Sequence, residues 1–173
     1  MFQGWDNFYF LIGSAAGSLI GLLFVVVTLT AGAERSTAMR GARIYMTPTA
    51  VHFGVVLSAS AVALAPGLAI SARVAIFATI AIVGLANTVR ACVGLATPRP
   101  GVEQHWSDIW MYGLAPAALY LGLCDAVFSV WSGAQWAADA MAGALLAILL
   151  VAIRNAWDLV TWIAPGKGGV KSD

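Results

Sequence analysis

Polar and charged side chains occur in this sequence inside segments that are otherwise apolar. Asn87 and Arg90 are three positions apart, and Arg154 and Asp158 are four positions apart, so each pair shares one face of a helix. Ionisable groups inside membrane-spanning helices usually face a water-filled cavity or pair with one another. The spacing therefore predicts a polar cluster that could line a pathway for an ion or a small solute.

The composition identifies the environment of these residues. Hydrophobic residues make up 61% of the 173 residues and charged residues only 10%, whereas an average soluble domain carries about 25% charged residues. The mean hydropathy is +0.86. A chain of this length folded in water would leave about a third of its extended-chain surface exposed, and there are too few polar residues to cover it. The composition predicts an integral protein of the lipid bilayer.

The uncharged windows predict an all-α bundle of five transmembrane helices. A hydrocarbon core of about 30 Å requires about 20 helical residues, and apolar barrel strands would be much shorter and strictly alternating. The helices are expected at about 7–32, 48–68, 70–96, 107–131 and 135–164. Pro48 is expected to open the second helix and Pro66-Gly67 to form a tight turn. We expect residues 1–165 to form a single transmembrane domain and residues 166–173 to form a short cytoplasmic tail.

The basic residues indicate the orientation of the bundle. If the N-terminus lies outside, the cytoplasmic connections and tail hold six of the nine Lys and Arg residues, and the outer segments hold only Arg73. The six are Arg35, Arg40, Arg43, Arg99, Lys167 and Lys171. Because Lys and Arg remain with cytoplasmic loops, we expect an outside N-terminus, a cytoplasmic C-terminus and a multi-pass location in the cytoplasmic (inner) membrane.

The last three helices cannot avoid carrying charges into the membrane. Only 14 uncharged residues separate Asp139 from Arg154, and these span about 21 Å. Counting along the helices predicts a polar cluster near the cytoplasmic side, with Asp125 nearer the outer side in a thinner layer with Asp139 and Arg73. The members of the cytoplasmic cluster are His52, Asn87, Arg90, Asp108, Arg154, Asn155 and Asp158.

Structural roles for these groups stay open as alternatives. Arg154 and Asp158 could pair along their own helix with their charged ends at the membrane interface. Asp108 could simply stabilise the start of a helix through its dipole. His52 could be hydrogen-bonded without binding any ligand.

Small residues predict close helix packing in the first segment. Gly13, Gly17 and Gly21 recur at every fourth position, a pattern that lets two helices approach until their backbones touch. One expectation is packing within the chain against the second helix, where Gly54 and Ser58 form a matching small face. The other expectation is an interface with a second copy or with another membrane subunit.

Several classes of function are excluded or disfavoured. A net charge of +1 leaves no electrostatic footprint for nucleic acid. Cys92 and Cys124 fit no metal or redox spacing, and no nucleophile and base occur together in a catalytic pattern, so we expect no enzyme activity, cofactor or metal. His52 and His105 offer a poor geometry for haem ligation.

The expected function is therefore that of an oligomeric channel or transporter for an ion or small solute. The alternative is a non-transporting accessory or scaffolding subunit that docks through the glycine face. The segment with Arg35, Arg40 and Arg43 could also attract anionic lipid, although the preference of basic residues for cytoplasmic loops already explains their presence.

Overall fold

A computed structural model describes residues 2–30, 37–96 and 109–163, with side chains described for 2–28, 46–95 and 109–161. Within these ranges every regular element is a helix. The five long helices are α1 (Asp6–Thr30), α2 (Thr37–Leu64), α3 (Ile70–Ala96), α4 (Ala115–Ser132) and α5 (Ala137–Ile163). A π-helical turn, Trp110–Leu114, leads directly into α4.

All five helices are long and apolar enough to cross a membrane. Their candidate spans contain 19 to 26 residues, against about 20 residues for a bilayer core. Less than a third of the α1 and α3 spans is buried inside the protein, and at most half of any span. Helices that leave so much apolar surface uncovered are those of a multi-pass membrane protein.

Four of the helices form a ring. α2 packs against α3, α3 against α4, α4 against α5, and α5 back against α2. α2 and α4 face each other across the ring, as do α3 and α5, and in the described part of the chain the backbones of these diagonal pairs make almost no close approach. α1 lies outside the ring, packed extensively on α2 and to a lesser extent on α5.

Neighbouring helices of the ring run antiparallel and define two ends. The first, which we call the Trp5 end, holds Trp5 and the two turns that join α2 to α3 and α4 to α5. The turn predicted at Pro66-Gly67 is confirmed, with Gly67 at φ +67°, and Gly133 closes α4 at φ +73°. Both values fall in the left-handed region that glycine adopts without strain. The opposite end, with Trp110, is the Trp110 end.

The expected start of the second helix at Pro48 is wrong. The helix begins at Thr37, and Pro48 lies in its interior. Residues 38–43 contain Ala, Met and Arg, which favour helix, so the helix continues beyond the apolar window even though its first residues include two arginines. The hydropathy pattern marks the membrane-crossing length and not the helix itself.

The glycine face of α1 packs against α2 within the same chain. A Cβ atom at Gly13 would lie 2.9 Å from the Cβ atom of Ser60, and one at Gly17 would lie 3.9 Å from Leu57. Gly21 faces open space. The backbones therefore approach most closely at Gly13, toward the Trp5 end, where no larger residue fits without displacing α2.

The α2 side of this contact differs from the expected one. A Cβ atom placed on Gly54 would meet no atom within 4 Å, and Ser58 is exposed. Because α1 crosses α2 on the face that carries Leu57 and Ser60, the small residues Gly54 and Ser58 do not form the matching surface.

Candidate functional site

The centre of the helix ring contains a hydrogen-bonded pair of buried polar side chains. The Nδ1 atom of His52 on α2 lies 2.9 Å from the hydroxyl oxygen of Tyr120 on α4. His52 is 1% exposed and Tyr120 is fully buried. The two residues lie on helices that face each other diagonally, so the pair spans the interior of the ring.

The pair lies near the middle of the predicted membrane spans. His52 lies twelve residues before Leu64, the last residue of α2, and Tyr120 lies twelve residues before Ser132, the last residue of α4. Twelve helical residues correspond to about 18 Å. The hydrogen bond is thus about 18 Å from the Trp5 end of these helices, whereas His52 lies only six residues after Met46, where the candidate span of α2 begins.

The hydrogen bond leaves one nitrogen of the imidazole without a partner. The Nε2 atom of His52 is buried and makes no hydrogen bond with the residues that the structure describes. If Tyr120 donates to Nδ1, the Nε2–H group is an unused donor, and if Nδ1–H donates to Tyr120, the Nε2 lone pair is an unused acceptor. An unpartnered polar atom in a low-dielectric interior carries a substantial desolvation cost.

Gly84 on α3 fixes the position of the Tyr120 ring. A Cβ atom at Gly84 would overlap the ring carbons of Tyr120. The neighbouring turn of α3 is occupied by Thr88, which is fully buried and donates to the Gly84 carbonyl oxygen at 3.0 Å. The absence of a side chain at Gly84 therefore creates the space that brings the Tyr120 hydroxyl to His52.

The two halves of the ring interior differ in polarity. Toward the Trp5 end, fully buried apolar side chains fill the core next to the pair, namely Phe77, Leu123, Met141 and Leu145. Two buried serines also lie in this half. Ser129 donates to the Ala126 carbonyl of its own helix, whereas the Ser60 Oγ atom, at the α1 contact, has no hydrogen-bond partner among the described residues. Toward the Trp110 end, the buried side chains include Thr49, Thr88, Tyr112 and Asn155. We call this second half the polar half-core.

Asn155 on α5 holds the π-helical turn at the start of α4. The Ala115 N–H group donates to the Trp110 carbonyl and is therefore not available to Met111. The next residue that could donate to Met111 in a π-helix is Pro116, which has no N–H group. The Asn155 side-chain amide supplies the missing donor at 3.0 Å from the Met111 carbonyl oxygen.

Tyr112 strengthens the same junction from the other side. Its hydroxyl donates to the Asn155 carbonyl oxygen at 3.1 Å, so that side chains from both helices bind backbone atoms of the other. π-helical turns occur frequently at functional sites. This one lies where the polar half-core meets the Trp110 end.

Arg154 and Asp158 form an ion pair along α5. The guanidinium nitrogen lies 3.1 Å from the carboxylate, and both side chains are more than 40% exposed. Arg154 also lies 3.4 Å from the Asn155 side-chain oxygen. The geometry is that of the structural alternative, an intrahelical pair on the outside of the bundle.

The other predicted members of the cluster are placed separately. Arg90 is exposed, and Asn87 is half-buried with its Nδ2 atom unpartnered. No hydrogen bond or ion pair of the described residues joins either of them to α5, which is diagonal to α3. Asp108 and Arg35 lie outside the described residues, as do the side chains of Arg40 and Arg43.

The three residues expected in the outer layer, Arg73, Asp125 and Asp139, do not form a cluster either. Arg73 donates to the Ala65 carbonyl oxygen at 2.8 Å and lies over the Phe2 ring at 5.4 Å, so it is anchored to the turn after α2 and to the N-terminal segment. Asp125 and Asp139 are exposed on α4 and α5. In the described part of the chain neither carboxylate pairs with Arg73.

Tyr120, Tyr112 and Gly84 were not predicted from the sequence as functional residues. The sequence nevertheless contains an indication for Tyr120. Tyrosine in membrane proteins concentrates at the interfaces, whereas Tyr120 lies in the middle of a span. A phenol hydroxyl at that depth requires a partner. His52 is the partner that the fold supplies.

The arrangement offers proton-exchanging groups, namely the His52 imidazole and the Tyr120 hydroxyl. Within the residues that the structure describes, no three His, Cys, Asp or Glu side chains lie close enough to hold a metal ion. No known family, curated protein or solved structure matches the chain.

Proposed function

We propose that the protein carries an ion or a small solute across the membrane, with protons as the species that this site fits best. The observation that supports the proposal is the unpartnered Nε2 atom of His52 in the centre of the bundle. Imidazole is the side chain that exchanges protons most readily near neutral pH. Ionisable groups inside membrane proteins are costly and commonly belong to ion or proton pathways.

The pathway would approach His52 through the polar half-core. Thr49 and Thr88 provide hydroxyl groups between the pair and the Trp110 end, and the Asn155 and Tyr112 junction lies at its entrance. Beyond the pair, the packed apolar side chains of the Trp5 half would have to separate before a proton could continue. This arrangement favours a gated or alternating mechanism over a permanently open pore.

Arg90, Arg154 and Asp158 would act at the mouth of this pathway and not inside it. All three lie near the Trp110 end, which the distribution of Lys and Arg assigns to the cytoplasm. Charges at a pore mouth raise or lower the local concentration of ions. Assembly into an oligomer, an inner-membrane location and contacts between Arg40, Arg43 and anionic lipid belong to the same proposal.

The direct test is proton flux into liposomes that contain the purified protein. A pH-sensitive dye trapped inside reports proton entry when a potassium gradient with valinomycin imposes a membrane potential. We expect flux above that of empty liposomes, and we expect His52→Gln to abolish it, because glutamine keeps hydrogen-bonding atoms but does not exchange protons. Tyr120→Phe, which removes only the hydroxyl, should reduce the flux as well.

The matched control is Asp139→Asn, which neutralises an exposed carboxylate in the first turn of α5, outside the polar half-core. Its flux should equal that of the unmodified protein, and circular dichroism should show equal helix content in all variants. Flux indistinguishable from empty liposomes for protons and for a panel of other ions would refute transport. Unchanged flux in His52→Gln would refute the proposed pathway.

A non-transporting accessory subunit is the second candidate. Its expected docking face on α1 is already used, because α2 covers Gly13 and Gly17 within the chain. The exposed carboxylate of Asp125 is the observation that favours this candidate. Purification from the native membrane in mild detergent would distinguish the accessory role from transport. Recovery of a self-oligomer alone would argue against an accessory role.

A further inference from the structure

The outward face of α4 carries a carboxylate at membrane depth. Asp125 lies seven residues before Ser132, the last residue of α4, which places it about 10 Å inside the Trp5 end of the helix. Its side chain is too short to reach the end of the bundle. Asp125 is exposed, and among the described residues nothing forms a hydrogen bond or ion pair with it.

The residues around Asp125 show that it faces away from the ring. Leu121 is 60% exposed and Phe128 is 58% exposed, and they lie about one helical turn to either side of Asp125. Carboxylates in membrane spans almost always face the protein interior or a water-filled cavity. In the isolated chain Asp125 would instead face the hydrocarbon of the lipid.

The same face is shaped to accept another helix. Gly122 lies three residues before Asp125, is exposed, and has no atom within 4 Å of the position that a Cβ atom would take. Ala118, one turn further, is also exposed. Small residues allow a helix backbone to approach closely, and a polar side chain at such a contact strengthens it.

The charge of Asp125 identifies the partner that would fit. We propose that this face, formed by Ala118, Leu121, Gly122, Asp125 and Phe128, binds a transmembrane helix of another protein that carries a Lys or Arg at the depth of Asp125. A second copy of this chain is less suitable, because the basic side chain described in this half, Arg73, is bound to Ala65 and Phe2. The positive charge must therefore come from elsewhere.

A synthetic transmembrane peptide provides the test. The probe is a leucine-rich helix of about 20 residues with one Arg as far from its end as Asp125 is from Ser132, and the reference is the same peptide with Leu in place of Arg. Energy transfer is measured between a donor on a C-terminal tag of the full chain and an acceptor on the peptide, in liposomes. We expect the Arg peptide to associate about tenfold more tightly than the Leu peptide.

Two variants make the result specific. Asp125→Asn should remove the preference for the Arg peptide, whereas Asp139→Asn, which neutralises an exposed carboxylate in the first turn of α5, should retain it. Equal binding of both peptides to the unmodified protein would overturn the proposal, and so would an undiminished preference in Asp125→Asn. Self-association that depends on Asp125 in the absence of peptide would also overturn it, in favour of a second copy. Because proton flux is not measured here, each outcome is independent of the proposed transport function.

Discussion

The side-chain amide of Asn155 donates to the main-chain carbonyl of Met111, 3.0 Å away on the neighbouring helix. This hydrogen bond replaces the one that Pro116 cannot provide. A proline near the start of α4 and an asparagine near the end of α5, 39 residues apart in the sequence, thus depend on each other.

We expect Asn155→Leu to lower the free energy of unfolding by about 1–3 kcal/mol, because the partly buried Met111 carbonyl would lose its donor. Unfolding by sodium dodecyl sulfate from mixed micelles, followed by circular dichroism, measures the change. Asn87→Leu is the matched control, since the Asn87 amide is already unpartnered and its removal should cost little. Combining Asn155→Leu with Pro116→Ala tests the cause, because a restored N–H group should make the loss of Asn155 smaller. Strictly additive effects would contradict this explanation.

Gly84→Ala should destabilise the bundle by about 1–3 kcal/mol, because the new Cβ atom would overlap the Tyr120 ring. The same unfolding measurement applies, and the His52 imidazole signals in NMR should shift as Tyr120 is displaced. Gly122→Ala adds an equal methyl group into open space on the outward face of α4 and should not lower stability, because alanine favours helix by up to about 1 kcal/mol over glycine. Equal effects of the two substitutions would show that Gly84 acts through helix propensity and not through Tyr120.

Substitutions in the glycine face of α1 should have graded effects. Gly13→Leu should strongly weaken the α1–α2 contact, since a Cβ atom there is already 2.9 Å from Ser60. A Cβ atom on Gly21 meets no atom within 4 Å, so Gly21→Leu should be tolerated. Protease sensitivity of α1 in detergent, together with the unfolding transition, measures the difference. If Gly21→Leu instead dissociated an oligomer while stability was retained, the part of the glycine face around Gly21 would be an intermolecular contact.

Arg154→Gln should change the free energy of unfolding by no more than about 0.5 kcal/mol. The ion pair with Asp158 joins residues four positions apart on an exposed helix face, and such pairs contribute little. The measurement is best made at low and high salt, because the remaining difference should decrease as salt increases. A loss of several kcal/mol would mean that Arg154 is buried in the assembled protein.

Composition and uncharged windows were sufficient to predict an all-helical chain with five apolar helices, because the length of an apolar segment is a direct consequence of bilayer thickness. They did not predict that α2 begins at Thr37, since helix propensity outside the membrane depends on residues such as Ala38 and Met39 and not on hydropathy. The π-helical turn before α4 is not predicted from the sequence either, although the sequence contains Pro116. The donor that Pro116 lacks is supplied by Asn155, and this depends on how α4 and α5 pack.

For the candidate site, the sequence predicts how deep a polar side chain lies in the membrane but not which way it faces. Counting residues indicated how deep each polar side chain lies, but depth does not say which face of the helix carries it. His52 was therefore included in the cluster without its partner Tyr120, and Asn87 and Asp158 were grouped although their helices are diagonal. Which helices are neighbours is decided by packing at residues such as Gly84, where a Cβ atom would overlap the Tyr120 ring, and a single sequence does not reveal such contacts.

The hydroxyl of Tyr9 donates to the carbonyl of Ala138 at 3.3 Å, which joins the first of the five helices to the last. The α1 surface that carries Tyr9 therefore has this partner only when all five helices are in place. α5 also contacts both α4 and α2, and these contacts close the ring. We expect a chain that ends before α5 to have an open ring and to lose the Tyr9 contact.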